Sequence, residues 1–335
     1  MKLSVLDQSP ISRGSNARTA LKNTLKLTHL TEELGFARFW VAEHHNTNGL
    51  ASTSPEVLIS HIASQTSKIR VGSGGVLLPQ YSPFKVAENF KTLEALFPNR
   101  IDIGIGRSPG GSSSTRLALT DSLRKSLNEF PRQLRDLKGY LTDTLPEGHP
   151  YAEVKATPIT DSTPEMWLLG TSHRGARVAA ENGIAFTFGH FINPSSGQRA
   201  TEEYFSGFTP SLNLSRPKMN VCIFVVCADT EHEAEELAIS QDIWLLNIGK
   251  GSDSTIPSIV DAKRTTLSLD DQDIIQQNRK RTIIGTPDKV KEELSLLSEI
   301  YRTEEFMVIT NTFDFEARKH SYKLLAEAIL GQNNL

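Results

Sequence analysis

The sequence predicts an α/β fold: a TIM-like (β/α)8 barrel in one domain over residues 1–335, with insertions after strands four and seven. Three observations carry this expectation. Eight short apolar runs alternate with eight segments of helical spacing, the count that a closed parallel barrel needs. A length of 335 residues suits one such barrel with insertions. The run Phe39-Trp40-Val41-Ala42 also turns abruptly into Glu43-His44-His45-Asn46. A strand buried on both faces whose C-terminal end becomes titratable has the pattern of a barrel's catalytic mouth. Open, doubly wound sheets share the alternation but use fewer strands.

The elements follow in order. Residues 3–6 form an apolar first strand, which turns polar in Asp7-Gln8-Ser9-Pro10. Residues 17–34 carry apolar positions at helical spacing, and Gly35 closes that helix. Residues 39–42 are strand two. Ser54 then reads as an N-cap, with Pro55 in the first turn of a helix that runs to about residue 67. Strand three, residues 69–78, breaks into Pro79, and a helix over residues 83–96 follows. Strand four, residues 101–106, leads through a Gly/Ser-rich loop into a long helix predicted over 115–141.

Residues 145–164 carry four prolines and read as an insertion. Strand five, residues 166–169, is followed by a helix over 174–182, and strand six, residues 184–188, by a weaker helix over 194–207. Strand seven covers residues 219–227, with a helix over 230–248. The stretch 249–281 shows no clear period and reads as a mobile excursion, reaching about residue 285. A helix over 286–301, strand eight over 305–310 and a closing helix over 315–330 complete the series.

Composition removes several function classes. With 36 basic against 39 acidic residues the formal charge is −3, so nothing argues for a nucleic acid as partner. No apolar run approaches the roughly 20 residues that cross a bilayer, and Asp7 comes too early for a signal peptide. The expectation is a cytoplasmic protein with no membrane association. The two cysteines, Cys222 and Cys227, stand five apart on one strand and point to opposite faces, so they read as free thiols in a reducing compartment. No metal site is expected, because His44 and His45 are adjacent on a strand and face opposite ways. No Gly-x-Ser-x-Gly elbow favours a hydrolase.

Four motifs carry candidate chemistry, each with a plainer alternative. Glu43, His44 and His45 read equally as catalytic groups or as a polar cluster that satisfies itself. The turn Gly104-Ile105-Gly106-Arg107-Ser108-Pro109-Gly110-Gly111 fails the dinucleotide spacing, since Pro109 stands where a glycine belongs. Arg107 there is either a phosphate ligand or a surface ion pair. Gly170-Thr171-Ser172-His173 sets small hydroxyl residues at a helix start, which is a phosphate cradle or a plain N-cap. Ser73-Gly74-Gly75 inside a strand marks a bulge or a place where a flat ligand meets backbone.

Taken in order, Val41-Ala42-Glu43-His44-His45, Gly74-Gly75-Val76-Leu77-Leu78-Pro79, Arg100 to Arg107, Gly170-Thr171-Ser172 and Ile283-Ile284-Gly285-Thr286-Pro287 resemble the bacterial luciferase-like, flavin-dependent monooxygenases over nearly the whole chain. The resemblance implies a barrel that binds FMN at the C-terminal mouth of its strands. It also implies that reduced FMN is delivered by a separate flavin reductase and that O2 oxidises a small-molecule substrate. It assigns His44 as catalytic base with His45 as its neighbour. Gly74-Gly75 would form a non-proline cis peptide against the flavin ring, and Arg107, Thr171 and Ser172 would hold the phosphate. Glu43, Ser73 and Gly170 complete the cofactor-binding set, and residues 249–281 match an active-site loop. A homodimer is implied as well. The family also holds deazaflavin-dependent oxidoreductases and non-catalytic flavin binders, which stand as alternatives.

Overall fold

In a computed structural model, which describes residues 1–108 and 110–331, nine parallel strands form one sheet. They are β1 (Lys2–Asp7), β2 (Arg38–Val41), β3 (Arg70–Leu77), β4 (Ile101–Gly106), β5 (Glu165–Gly170), β6 (Ala185–Gly189), β7 (Met219–Cys227), β8 (Thr282–Gly285) and β9 (Glu305–Ile309). The hydrogen-bonded order runs β1 to β7 and returns through β9 to β1, so eight strands close the barrel. The predicted eighth strand is therefore β9. The additional strand β8 stands outside the ring, paired with β7 from Phe224↔Thr282 to Cys227↔Gly285. It escaped prediction because only Ile283 and Ile284 separate polar residues from a helix start.

The helices are α1 (Ala17–Glu33), α2 (Pro55–Ser64), α3 (Pro83–Leu96), α4 (Ser113–Leu119), α5 (Phe130–Thr142), α6 (His173–Glu181), α7 (Gly197–Ser206), α8 (Glu231–Gly249), α9 (Ile259–Lys263), α10 (Leu269–Arg279), α11 (Pro287–Tyr301) and α12 (Phe315–Leu325). Three expectations need correction. The long helix over 115–141 is two helices: Asp121 and Ser122 take positive φ (49° and 66°), and Pro131 restarts the helix in the first turn of α5. Residues 249–281 contain α9 and α10, the latter started by a capping box between Ser268 and Asp271. Ser54 occupies the N-cap of α2 but makes no side-chain capping bond. Pro109, which breaks the dinucleotide spacing, lies outside the described residues.

Strand alternation sorts the core into two layers. Outward residues such as Val5, Phe39, Val41, Val71, Ile103, Phe186, Phe188 and Val308 pack in one cluster beneath the helices. Inward residues, among them Leu6, Trp40, Ala42, Trp167, Cys222, Phe224, Met307 and Ile309, fill the barrel in a second. Cys222 and Cys227 fall in different layers, both free and buried. Burial pushes the Cys227 thiol up to about 12, so it stays protonated.

Below the apolar filling, the N-terminal end is closed by charge. Buried Arg38 reaches Asp102 at 2.7 Å, Glu305 at 2.7 Å and Glu165 at 3.1 Å. Arg70 and Trp40 Nε1 also bind Asp102, at 2.6 and 2.9 Å. Burial opposes ionisation of Asp102, but Arg38 and Arg70 outweigh it and hold the carboxyl below its usual range. Among the described residues no helix is long and apolar enough to cross a membrane.

Candidate functional site

The C-terminal end of the barrel is hollow. On β3 and β4, Gly74, Gly75 and Gly106 bring backbone to its wall. A Cβ at Gly74 would stand 2.4 Å from Leu6 Cδ1, and one at Gly75 would stand 2.7 Å from the Gly104 carbonyl oxygen. The Gly74-Gly75 peptide is cis, and the β3–β4 register shifts between Gly74 and Val76. The resulting cavity has a volume of about 1520 Å3. That exceeds the roughly 300–1,000 Å3 of an ordinary ligand pocket.

Nine of the ten residues singled out from the sequence line this cavity: Glu43, His44, His45, Gly74, Gly75, Arg107, Gly170, Thr171 and Ser172. Ser73 does not. Its side chain points away from the hollow, donates to the Gly104 carbonyl at 2.9 Å and accepts from the Gly104 N–H at 3.0 Å, so it joins two strands. Glu43, which does line the hollow, is also held by neighbours. Its Oε2 accepts from Leu77 N–H at 2.8 Å, while Oε1 meets Tyr81 Oη at 2.5 Å and His45 Nε2 at 2.8 Å. Both oxygens are thus spent tying the end of β2 to the turn after β3. Burial, reinforced by Glu43, raises the Tyr81 phenol above its normal pKa, so it remains a donor.

His44 is different. Its backbone N–H donates to Ser52 O at 2.9 Å, but the buried ring nitrogen Nδ1 has no hydrogen-bond partner among the described residues. Burial, with help from neighbouring His45, pulls its pKa down to about 4. The imidazole is therefore neutral at physiological pH, with Nδ1 left without a protein partner.

Across the cavity, α6 opens with its N-terminus toward the space. Ser172 caps it, accepting from the Gly175 N–H at 3.5 Å. The helix N-terminus supplies free N–H groups and a positive partial charge. Arg107 and Arg174 line the same end, are exposed, and make no ion pair among the described residues. This arginine-lined end sits after β4 and β5, not after strands seven and eight, where many barrels bind phosphate. Arg174 was missed from the sequence although it stands two residues beyond Ser172 in the motif.

Ile248, Gly251, Ser252 and Ser254 roof the cavity. The roof is pinned to the loop after β2: Ser254 Oγ donates to Asn48 Oδ1 at 2.8 Å, and Asn48 Nδ2 donates to Asp253 Oδ1 at 3.0 Å. Trp244 Nε1 donates to the Ser254 carbonyl at 2.8 Å from below. Of the stretch 249–281, Gly251, Ser252 and Ser254 thus reach the site, held by contacts that no local sequence pattern announces.

With this geometry in place, known proteins can be compared. A family model described as luciferase-like monooxygenase matches residues 1–304. The Bacillus subtilis protein YceB is 56% identical over 98% of this chain and 99% of its own. The N-acetyl-S-alkylcysteine monooxygenase of Bacillus subtilis is 37% identical over 98% of each chain. The crystal structure of apo-MsnO8 superposes with a TM-score of 0.88 at 34% identity, covering 99% of both chains. Remoter structures share the fold alone. They include the oxygenating constituent of 3,6-diketocamphane monooxygenase with FMN (TM-score 0.70, 19% identity) and an F420-dependent secondary alcohol dehydrogenase (0.67, 13%).

Proposed function

Since the chain belongs to the luciferase-like monooxygenase family, we propose that it is an FMN-dependent monooxygenase that oxidises a small organic molecule with O2. The residues present fit the cofactor. Gly74, Gly75 and Gly106 bring backbone of β3 and β4 to the cavity wall, for a flat ring to lie against. Arg107, Arg174, Thr171 and the Ser172-capped start of α6 would hold the phosphate tail. Bound in its reduced form, FMN supplies the electrons that let O2 oxygenate the substrate.

The chain's own part is to bind, dry and handle protons. Leu50, Phe191 and the roof segment exclude water from the reacting centre. Neutral His44 takes and returns the proton, and the observation that carries this reading is its unpartnered Nδ1 in the cavity that also holds the two free guanidinium groups. His45, fixed by Glu43, keeps that loop in shape. A binding protein without chemistry has no use for such a base. The reading includes a separate flavin reductase in the same cytoplasm and a homodimer. The relative named for N-acetyl-S-alkylcysteine makes thioethers the first substrates to screen.

The experiment is a titration of the full chain with FMN, riboflavin and the deazaflavin F420, followed by O2 consumption with reduced FMN and a thioether. FMN should bind at least tenfold more tightly than riboflavin, on the scale of a charged hydrogen bond, and O2 uptake should yield sulfoxide. Equal affinity for the two flavins would remove the phosphate site, and a preference for the deazaflavin would replace the cofactor.

A further inference from the structure

One polar side chain of the cavity has no place in the scheme so far. Gln8, just after β1, is 6% exposed and lines the hollow. Its Oε1 accepts from Nδ2 of Asn311 at 2.8 Å, and Asn311, just after β9, is fully buried. In this arrangement the acceptor end of the Gln8 amide is engaged, while Asn311 Oδ1 is itself buried without a partner. The NH2 end of Gln8 has no partner among the described residues and is the end left facing the cavity. A second polar group shares the predicament: Thr187, 2% exposed on β6, lines the cavity with Oγ1 unpartnered. Polar groups on a cavity wall that have no protein partner are open to pairing with whatever enters the cavity.

The surroundings define what that is. In the ring of eight strands β1 stands four staves from β5, so Gln8 faces the arginine-lined end from the opposite wall. Its cavity neighbours Leu6, Cys222 and Met307 are apolar, and no cation stands among them to attract an anion. An uncharged NH2 donor in an apolar wall selects a neutral acceptor and disfavours a ligand that leaves it unpaired. His44 ends the adjacent strand β2, so a molecule held by Gln8 would lie beside the base.

We propose that Gln8, positioned by Asn311, is the substrate-orienting donor of this cavity and selects molecules that carry a neutral carbonyl next to an apolar group. This rests on the monooxygenase reading for its meaning but not for its test. Two probes serve: benzylacetone, and the isostere in which C=CH2 replaces its C=O. Their affinities for the full chain are measured by calorimetry, with and without FMN, and FMN affinity is measured separately. The ketone should bind roughly tenfold more tightly than the isostere, the scale of one hydrogen bond in a dry site. Gln8→Met should bring the ratio near one and leave FMN affinity as it was.

Should Gln8→Met fold poorly because Asn311 loses its partner, Gln8→Met with Asn311→Leu removes both groups and should give the same ratio. A ratio near one in the wild-type protein, with or without FMN, overturns the proposal. So does a tenfold ratio that survives in either variant. If FMN fails to bind, the cofactor reading falls while the ratio without FMN still decides the role of Gln8.

Discussion

At the N-terminal end of the barrel, Arg38 meets three carboxylates and Arg70 shares one of them. At the C-terminal end, Arg107 and Arg174 meet none among the described residues, His44 Nδ1 has no partner, and glycines bring backbone to the wall. Both ends carry arginines, but among the described residues those at the floor are paired and those at the mouth are not. A closed network of charges holds a fold together; an open one leaves its partners to be supplied by something that binds.

The contrast is broken most violently from below. Arg38→Met would leave Asp102 to Arg70 and Trp40 and take from Glu305 its ion-pair partner, and removing one partner of a buried pair costs about 3–5 kcal/mol. Urea denaturation should show that loss with little change in FMN affinity per folded molecule. A loss under about 1 kcal/mol would mean that water or rearrangement already satisfies the floor. At the mouth the pattern should invert. His44→Ala should leave the urea midpoint within the range of a surface change, about 0.5 kcal/mol, and lower turnover by about 100-fold, the scale of lost acid–base help. Unchanged turnover would take His44 out of the chemistry. Arg107→Ala should weaken FMN binding by about 1.5–3 kcal/mol without touching stability, and equal affinities would assign the phosphate to Arg174 and α6.

The barrel was legible because its signal is periodic and local: alternating apolar runs and helix starts recur along the chain regardless of what they pack against. The mouth was legible where a strand ends in chemistry, as in Glu43-His44-His45, or where glycines interrupt a strand, as at Gly74-Gly75. What the sequence hid was the difference between lining a cavity and supporting it. Ser73 carries its hydroxyl at the right place in the chain yet spends it on Gly104, while Glu43 lines the cavity and also holds backbone and neighbours. That outcome depends on contacts such as Glu43 with Tyr81, which are 38 positions apart. Gln8 and Asn311 are 303 apart, so their pairing exists only once the ring closes. The break between α4 and α5 and the start of α10 were nearer to hand, in Pro131 and in Ser268 with Asp271.

The smallest effect probes the rim between the two regimes, where β6 gives way to loop. His190 is buried there, its Nδ1 2.6 Å from Tyr301 Oη on α11. Burial draws its pKa down to about 4, only partly opposed by the Lys280 carbonyl. Unlike His44 it has a partner, and it does not line the cavity, so its effect should appear in stability and not in binding. A histidine kept neutral by the fold titrates first in the unfolded chain, so between its ordinary pKa of about 6.5 and about 4 the unfolded state holds more protons. Its contribution is therefore complete above that window and lost as pH falls through it, by at most about 1.4 kcal/mol per pH unit. His190→Gln should flatten the fall of the melting temperature on acidification while leaving FMN affinity at neutral pH unchanged. A melting profile as steep as the wild type's would show that His190 titrates alike in both states, and that the acid sensitivity resides with His44 and the open mouth.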